Sequence, residues 1–416
     1  MSKGSLLRGV PKEKLHIILN MLQKRTKIQA NGAVAFESSM YQSVISILLT
    51  WLEFSDAIPE ADRRGMIVEA LSACAKQGGL VPDKFIADLN VRELAFKRRI
   101  PTEYVLATTL SVKSIDLLQS DSLAQDKVTL YRTFPDSFDR SYFNLHPNQF
   151  PYEPTPPGFS AVSIRVKARS PDAAFELALD RLDCLRGIWN YSINSNRLTS
   201  SSSGPQQQPI NMVRLGPVHT LHSENGGLVK DGIWTEPLYS NLGVPTDLHA
   251  TRAGFRGRVK GIRRLMAAST YRQTLEMVFI KYVRAFDQAD YDASYLKLWS
   301  LLEYMTGNDS KYDLTIKKCS FIFDDIKFTR IVLEHLRDQR NKTVHTGTGA
   351  ANKEWVLFQL KYYVEHLMRF HLGARRNFQN LSDAVEFLDL SPDPNQLRKT
   401  IQRCRRGIKL RIRKPP

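Results

Sequence analysis

LRDQRNKTVHTGTG, residues 336–349, closes a segment beginning near Phe328 and decides how the last third of this chain is read. Ile331, Val332 and Leu333 read as a core face, and Gly347 and Gly349 supply a stop, so the pattern predicts a helix over 328–346. Arg337, Asn341 and His345 stand at i, i+4 and i+8 and therefore share one polar stripe. Arg340 lies about 100° round from Asn341, with a side chain long enough to lean toward that stripe. His345 falls in the last turn, where the helix dipole favours a protonated imidazole by up to about 1 kcal/mol. The neighbouring arginines oppose a further cation. A histidine of tunable charge beside fixed cations suits cleavage of a phosphodiester, because it can move protons while arginine holds the phosphate.

Working outward, residues 265–288, 291–305 (YDASYLKLWSLLEYM) and 353–372 carry the same helical spacing with short connectors, which predicts an up-and-down bundle. The run R-N-K-T-V-H (340–345) resembles the R-x(4–6)-H motif of HEPN ribonucleases, in which a polar residue, often Asn, follows the Arg. With LWSLLEYMTG (298–307) one helix earlier and V-H-T-G after it, the stretch is most similar to the Apea-type HEPN branch, over residues 262–373.

That resemblance implies an all-α four-helix HEPN domain that pairs as a homodimer and brings two Arg/His sets into one cleft. It implies cleavage of RNA without metal or cofactor: the 2′-hydroxyl attacks its own phosphate and leaves a 2′,3′-cyclic phosphate. His345 would act as acid or base, Arg340 would stabilise the phosphorane and Asn341 would position it. Glu303 would orient the Arg or His, and Arg337 and Lys342 would steer RNA by charge. Such domains often serve toxin or antiviral defence systems, with the remaining domains sensing a trigger or inhibitor. Two other readings stay open: a catalytically silent HEPN bundle that binds RNA or nucleotide, or an adaptor in which Arg337, Arg340 and His345 merely complement a helix C-terminus.

Spacing alone is a poor witness. Arg140/His146, Arg214/His219 and Arg330/His335 fit the same interval. The first pair sits in an aromatic, Pro-flanked loop, and the second spans Gly216-Pro217, which cannot be mid-helix. Apolar residues follow Arg330 directly.

The net charge of +17 favours a polyanionic partner, either nucleic acid or an anionic membrane surface. Nine of the basic residues lie between Arg398 and Lys414 with no acid among them, and a second basic run spans Arg252–Arg264. The bland reading of both is a solvated face. Four cysteines far apart in sequence (Cys74, Cys184, Cys319, Cys404) support neither a zinc site nor a disulfide scaffold. The apolar stretch Ile17–Leu22 is too broken for a signal peptide, and Val44–Leu52 is far short of a membrane span. The expectation is a cytoplasmic protein with no membrane partner.

The fold class expected is a multidomain α+β chain. A helical N-terminal region takes residues 1–122, with helices over 40–54 and 63–76. An α+β recognition or regulatory domain takes 123–250, with strands at 128–134 and 161–168, a helix opened by Pro171, and a hairpin turning at Asn225-Gly226-Gly227. The helical nuclease domain takes 251–376, and 377–416 is a basic tail. Weaker signals have ordinary explanations. His219 and His222 point to opposite faces of a strand, against a metal site. Asp287, Asp290 and Asp292 suit capping. Asp325-Ile326-Lys327 lacks the strand and upstream acid of a D-x-K nuclease, and Gly254, Gly257 and Gly261 follow no strand.

Overall fold

The computed structural model describes residues 6–7, 12–36, 38–55, 58–113, 115–118, 127–138, 158–195, 210–236, 245–248, 254–307, 312–346, 352–373 and 377–412. Of residues 6–7, 38–39, 117–118 and 345–346 it describes the backbone alone. Arg140 and His146 lie outside the described residues.

Four helices, α1 (Lys12–Gln23), α2 (Ser38–Trp51), α3 (Glu60–Lys76) and α4 (Pro82–Arg98), enclose a core of their own built on Leu19, Ile45, Leu48, Leu71, Phe85 and Leu89. Chain exit from α3 uses Gly78 and Gly79, whose φ angles of +95° and +138° suit a residue without a Cβ. Two short antiparallel pairs trim this unit: β1 (Leu6–Leu7) and β2 (Thr26–Ile28) join β4 (Leu52–Glu53) and β3 (Val34–Phe36) respectively.

A five-stranded antiparallel sheet follows, in the order β6-β7-β5-β8-β9. Its strands are β5 (Thr102–Leu110), β6 (Val128–Tyr131), β7 (Ser160–Ala168), β8 (Val218–Ser223) and β9 (Leu228–Thr235). β5 corrects the expected boundary at residue 122. It is the middle strand, with Leu106 opposite Ile164 on one side and Leu221 on the other, so the helical unit ends near Arg98. Residues 105–110 are buried throughout, and a strand covered on both faces shows no alternation to read.

The expected boundary near residue 250 is also corrected. A short α5 (Ile115–Leu118) precedes the long α6 (Pro171–Asn194), which is capped by the Ser170 side chain accepting the Ala173 N–H. Behind the sheet, α6 packs across α8 (Arg272–Phe286), which follows α7 (Phe255–Ala267). A Cβ on Gly187 would stand 2.4 Å from the Phe279 carbonyl oxygen, so glycine is what lets the two helices cross this closely. The fully buried Arg186 reaches Asp183 at 3.0 Å and Asp287 at 2.6 Å, tying α6 to the end of α8. One continuous core, from Leu106 to Leu388, therefore serves both the sheet and the helices.

That helical body continues through α9 (Tyr291–Thr306), α10 (Tyr312–Ser320), α11 (Ile326–Thr346), α12 (Lys353–Gly373) and α13 (Leu381–Leu388). The single helix expected over 265–288 is two, interrupted between Ala267 and Arg272, and α10 is an additional element. The expected tail at 377–416 is corrected as well. Ala384 and Leu388 of α13 enter the core, and Lys317 binds Asp389 at 2.7 Å. Beyond it, α14 (Pro394–Ile412) is helical with no buried residue. No described helix is long and apolar enough to cross a membrane.

Candidate active site

α11 starts on Asp325, whose Oδ1 accepts the Phe328 N–H at 3.0 Å; the D-x-K fragment is thus a helix cap. Thr329, Leu333 and Leu336 are its buried face. Arg340 follows one turn after Leu336 on that inward side, where apolar packing gives way to a half-buried cation.

The guanidinium of Arg340 lies over the Tyr312 ring at 5.0 Å and donates to Asn341 Oδ1 at 3.4 Å. Tyr295 of α9 fastens to the same helix, its hydroxyl donating to the Leu336 carbonyl at 2.5 Å. Burial pushes the Tyr295 phenol well above its ordinary pKa, and the positive charge of Arg340 offsets only part of that. The ring stays a neutral hydrogen-bond donor. Arg337, on the adjacent side of the helix, binds Asp313 at 3.0 Å and Asp338 at 3.1 Å. Both carboxylates are largely exposed, so each pair contributes little, at most about 1 kcal/mol. Lys342 is exposed. The backbone of α11 carries His345 into its last turn, about 7.5 Å and 140° on from Arg340 by helical geometry. The His345 side chain, with Gly347 and Gly349, lies outside the described residues.

Arg340 and Asn341 are therefore brought together, with Arg337 beside them. Glu303 Oε1 accepts the Trp299 indole N–H at 2.8 Å within α9, about 12 Å along the helix from Tyr295. Arg340 meets Asn341 and Tyr312. Tyr295, Tyr312 and Asp313 escape a reading of the sequence, because each reaches α11 from another helix and no local spacing reports such a contact. At the same end of the bundle Lys353, the first residue of α12, pairs with Asp292 in the first turn of α9.

Other candidates resolve into structural roles. His219 is buried, 2.7 Å from Thr108 Oγ1 and 3.4 Å from Glu236. His222 is held by Thr220 and the Gly226 carbonyl at 2.9 and 3.0 Å. Arg330 donates to Ser320. Asp290 caps α9, and Asp287 is the partly buried partner of the buried Arg186. Among the described residues no group of three or more His, Cys, Asp or Glu is placed to hold a metal ion. The described part of the basic run, from Arg256 to Arg264, lies in α7, an amphipathic helix that buries Phe255, Val259, Ile262 and Met266. Two of its cations serve the fold, Arg258 donating to the Ser192 carbonyl at 3.1 Å and Arg256 to that of Asp116. A cleft of about 570 Å³ opens where α3 and α4 meet α6, lined by Ile58, Arg63, Phe96, Lys167, Glu176 and Asp180. Burial, with repulsion from Asp180, Asp172, Asp62 and Glu60, raises the Glu176 carboxyl above its usual range.

The fold defines the chain as mixed α+β, an antiparallel sheet and a C-terminal helical bundle sharing one core. No family model matches the chain, and neither does any curated protein or solved structure.

Proposed function

We propose that this chain is a metal-independent endoribonuclease of the HEPN type, acting in the cytoplasm as a regulated toxin or antiviral effector. One observation carries the reading: the R-N-K-T-V-H run occupies the C-terminal end of a bundle helix and presents Arg340 and Asn341 together, half-buried, with Asn341 one turn before His345. In the reaction the RNA 2′-oxygen attacks the adjacent phosphorus and the bond to the 5′-oxygen breaks. The proton leaving the 2′-hydroxyl passes to a base and the 5′-oxygen receives one, the exchange assigned to His345. Arg340 neutralises charge on the phosphorane, and Tyr312 holds the guanidinium against the bundle. A second copy would complete the groove. Phe328 and Ile331 on α11, with Trp355 and Tyr362 on α12, are 43–65% exposed and offer apolar surface for it.

The test is cleavage of a labelled RNA in EDTA, with end-group analysis for 2′,3′-cyclic phosphate. Arg340→Ala and His345→Ala should each abolish products while circular dichroism and oligomeric state are kept. Undiminished cutting by both variants overturns the assignment. A second reading, a silent RNA-binding bundle, is favoured by Arg340 and Arg337 already being engaged by Tyr312 and Asp313. It predicts salt-sensitive RNA binding with no products from the wild type.

A further inference from the structure

Of all the basic character in the chain, the densest part sits on the element with least to do for the fold. α14 runs for 19 residues without one buried side chain. Its length, about 28 Å, holds seven Lys and Arg between Arg398 and Arg411 and no acid. Several are stacked on each other at helical spacing, Lys399 above Arg403 and Arg405 above Lys409, and such like-charge pairs destabilise a lone helix.

The layout round the helix separates two faces. At 100° per residue, Leu397, Ile401, Cys404, Ile408 and Ile412 fall within a stripe about 80° wide. The seven cations lie on the remaining arc of about 240°, with Lys399 and Arg406 nearly opposite the stripe and the exposed Leu410 among them. A helix lying on an anionic bilayer would send those two into water, and α14 has no aromatic residue to anchor it at such an interface. A second α14 would set like charge against like charge. A nucleic acid strand, with phosphates spaced along its length, uses the whole arc.

The segment that precedes α14 is fastened to α10, the helix that also carries Tyr312. Lys317 of α10 grips Asp389 by carboxylate and carbonyl, at 2.7 and 3.1 Å, and Phe387 stacks on Phe370. Asp389 is five residues before Pro394. Lys317 is in turn about 7 Å along α10 from Tyr312, the ring under Arg340.

We infer that α14 is an RNA-gripping arm, its cationic arc neutralising phosphates of the strand that flanks the Arg340 site. The inference rests on the ribonuclease reading for the choice of RNA as partner. Its test uses the full chain and a 2′-O-methyl oligoribonucleotide, which has no 2′-hydroxyl to attack and so reports binding alone. Anisotropy is read across a salt series for wild type, for a variant with the seven cations of 398–411 changed to Gln, and for Ile401→Asn/Ile408→Asn. The Gln variant should bind about tenfold or more weaker near physiological salt, its log–log salt slope shallower by about 0.7 for each phosphate no longer neutralised. The stripe variant should bind like wild type. Unchanged affinity and slope in the Gln variant, or no binding by wild type, overturns the arm. So does retention on phosphatidylglycerol vesicles that Ile401→Asn/Ile408→Asn abolishes while RNA affinity ignores the Gln changes. The two readings fail separately: wild type that grips this oligomer but never cuts unmodified RNA sinks the nuclease and leaves the arm standing.

Discussion

Arg340 and Tyr312 form a cation–π pair, the guanidinium carbon 5.0 Å from the ring centroid, and this pair joins α10 to the end of α11. It holds in place a side chain that otherwise has many rotamers, at the position where the proposed reaction needs a fixed charge. The ring matters here more than its hydroxyl. Tyr312→Phe should therefore leave melting temperature and RNA cleavage close to wild type. Tyr312→Leu should cost about 1 kcal/mol of stability and slow cleavage roughly fivefold, the scale of one half-exposed cation–π contact. Equal behaviour of the two variants in single-turnover assays would remove the ring from any positioning role.

The crossing of α6 and α8 at Gly187 is closed to any side chain. A methyl group would meet the Phe279 carbonyl oxygen at 2.4 Å, and backbone atoms of a packed helix cannot step aside cheaply. Gly187→Ala should destabilise the chain by about 3 kcal/mol, although alanine is the better helix former. Because sheet and bundle share one core, the loss should appear as an earlier unfolding of both together in circular dichroism and tryptophan fluorescence.

Arg186 is the second fastener of that joint. With 0% exposure it depends on Asp183 and Asp287 for compensation. Asp287→Ala leaves a buried guanidinium with one partner fewer and also removes the acceptor at 2.8 Å from the Asn211 amide. A loss of about 3–5 kcal/mol in denaturant titration is expected. Arg284→Ala removes a half-exposed side chain from Asp180 and Asp183, and should cost far less. A ranking in the opposite order would show that the buried pair is not what binds α6 to α8.

Sequence patterns located most of these elements but not their partnerships. The helix over α11, the Pro171 start of α6 and the Asn225-Gly226 turn were legible, because helix starts, stops and turn chemistry are local. β5 was hidden, since Val105 to Leu110 are covered on both sides and read as neither strand nor helix by period. α10 was lost between two stronger patterns. At the candidate site, Arg340 and Asn341 were visible as neighbours in sequence. Tyr295 and Tyr312 were not, for they arrive from other helices. Glu303 was chosen for its place one helix earlier, and its bond to the Trp299 indole within α9 is a contact that choice did not include.

His371 supplies a pH dependence unrelated to the candidate site. It is 1% exposed in α12, its Nε2 donating to the Met305 carbonyl at 3.1 Å and its Nδ1 3.3 Å from the Tyr271 hydroxyl. Burial lowers its pKa from 6.5 to about 4, outweighing the bond to Met305. The unfolded chain thus binds the proton more readily than the folded one. Stability from the neutral ring is complete above pH 6.5 and is lost as pH falls toward 4, by about 3 kcal/mol in all. Asp183 and Glu365, whose carboxyls burial raises, act in the opposite sense, so the comparison needs a variant rather than wild type alone. His371→Gln keeps a donor and an acceptor but does not titrate. Urea titrations at several pH values should show the wild-type stability falling relative to this variant between pH 6.5 and 4. Parallel curves over that range would mean that the imidazole is protonated within the fold, and that water or a carboxylate reaches it.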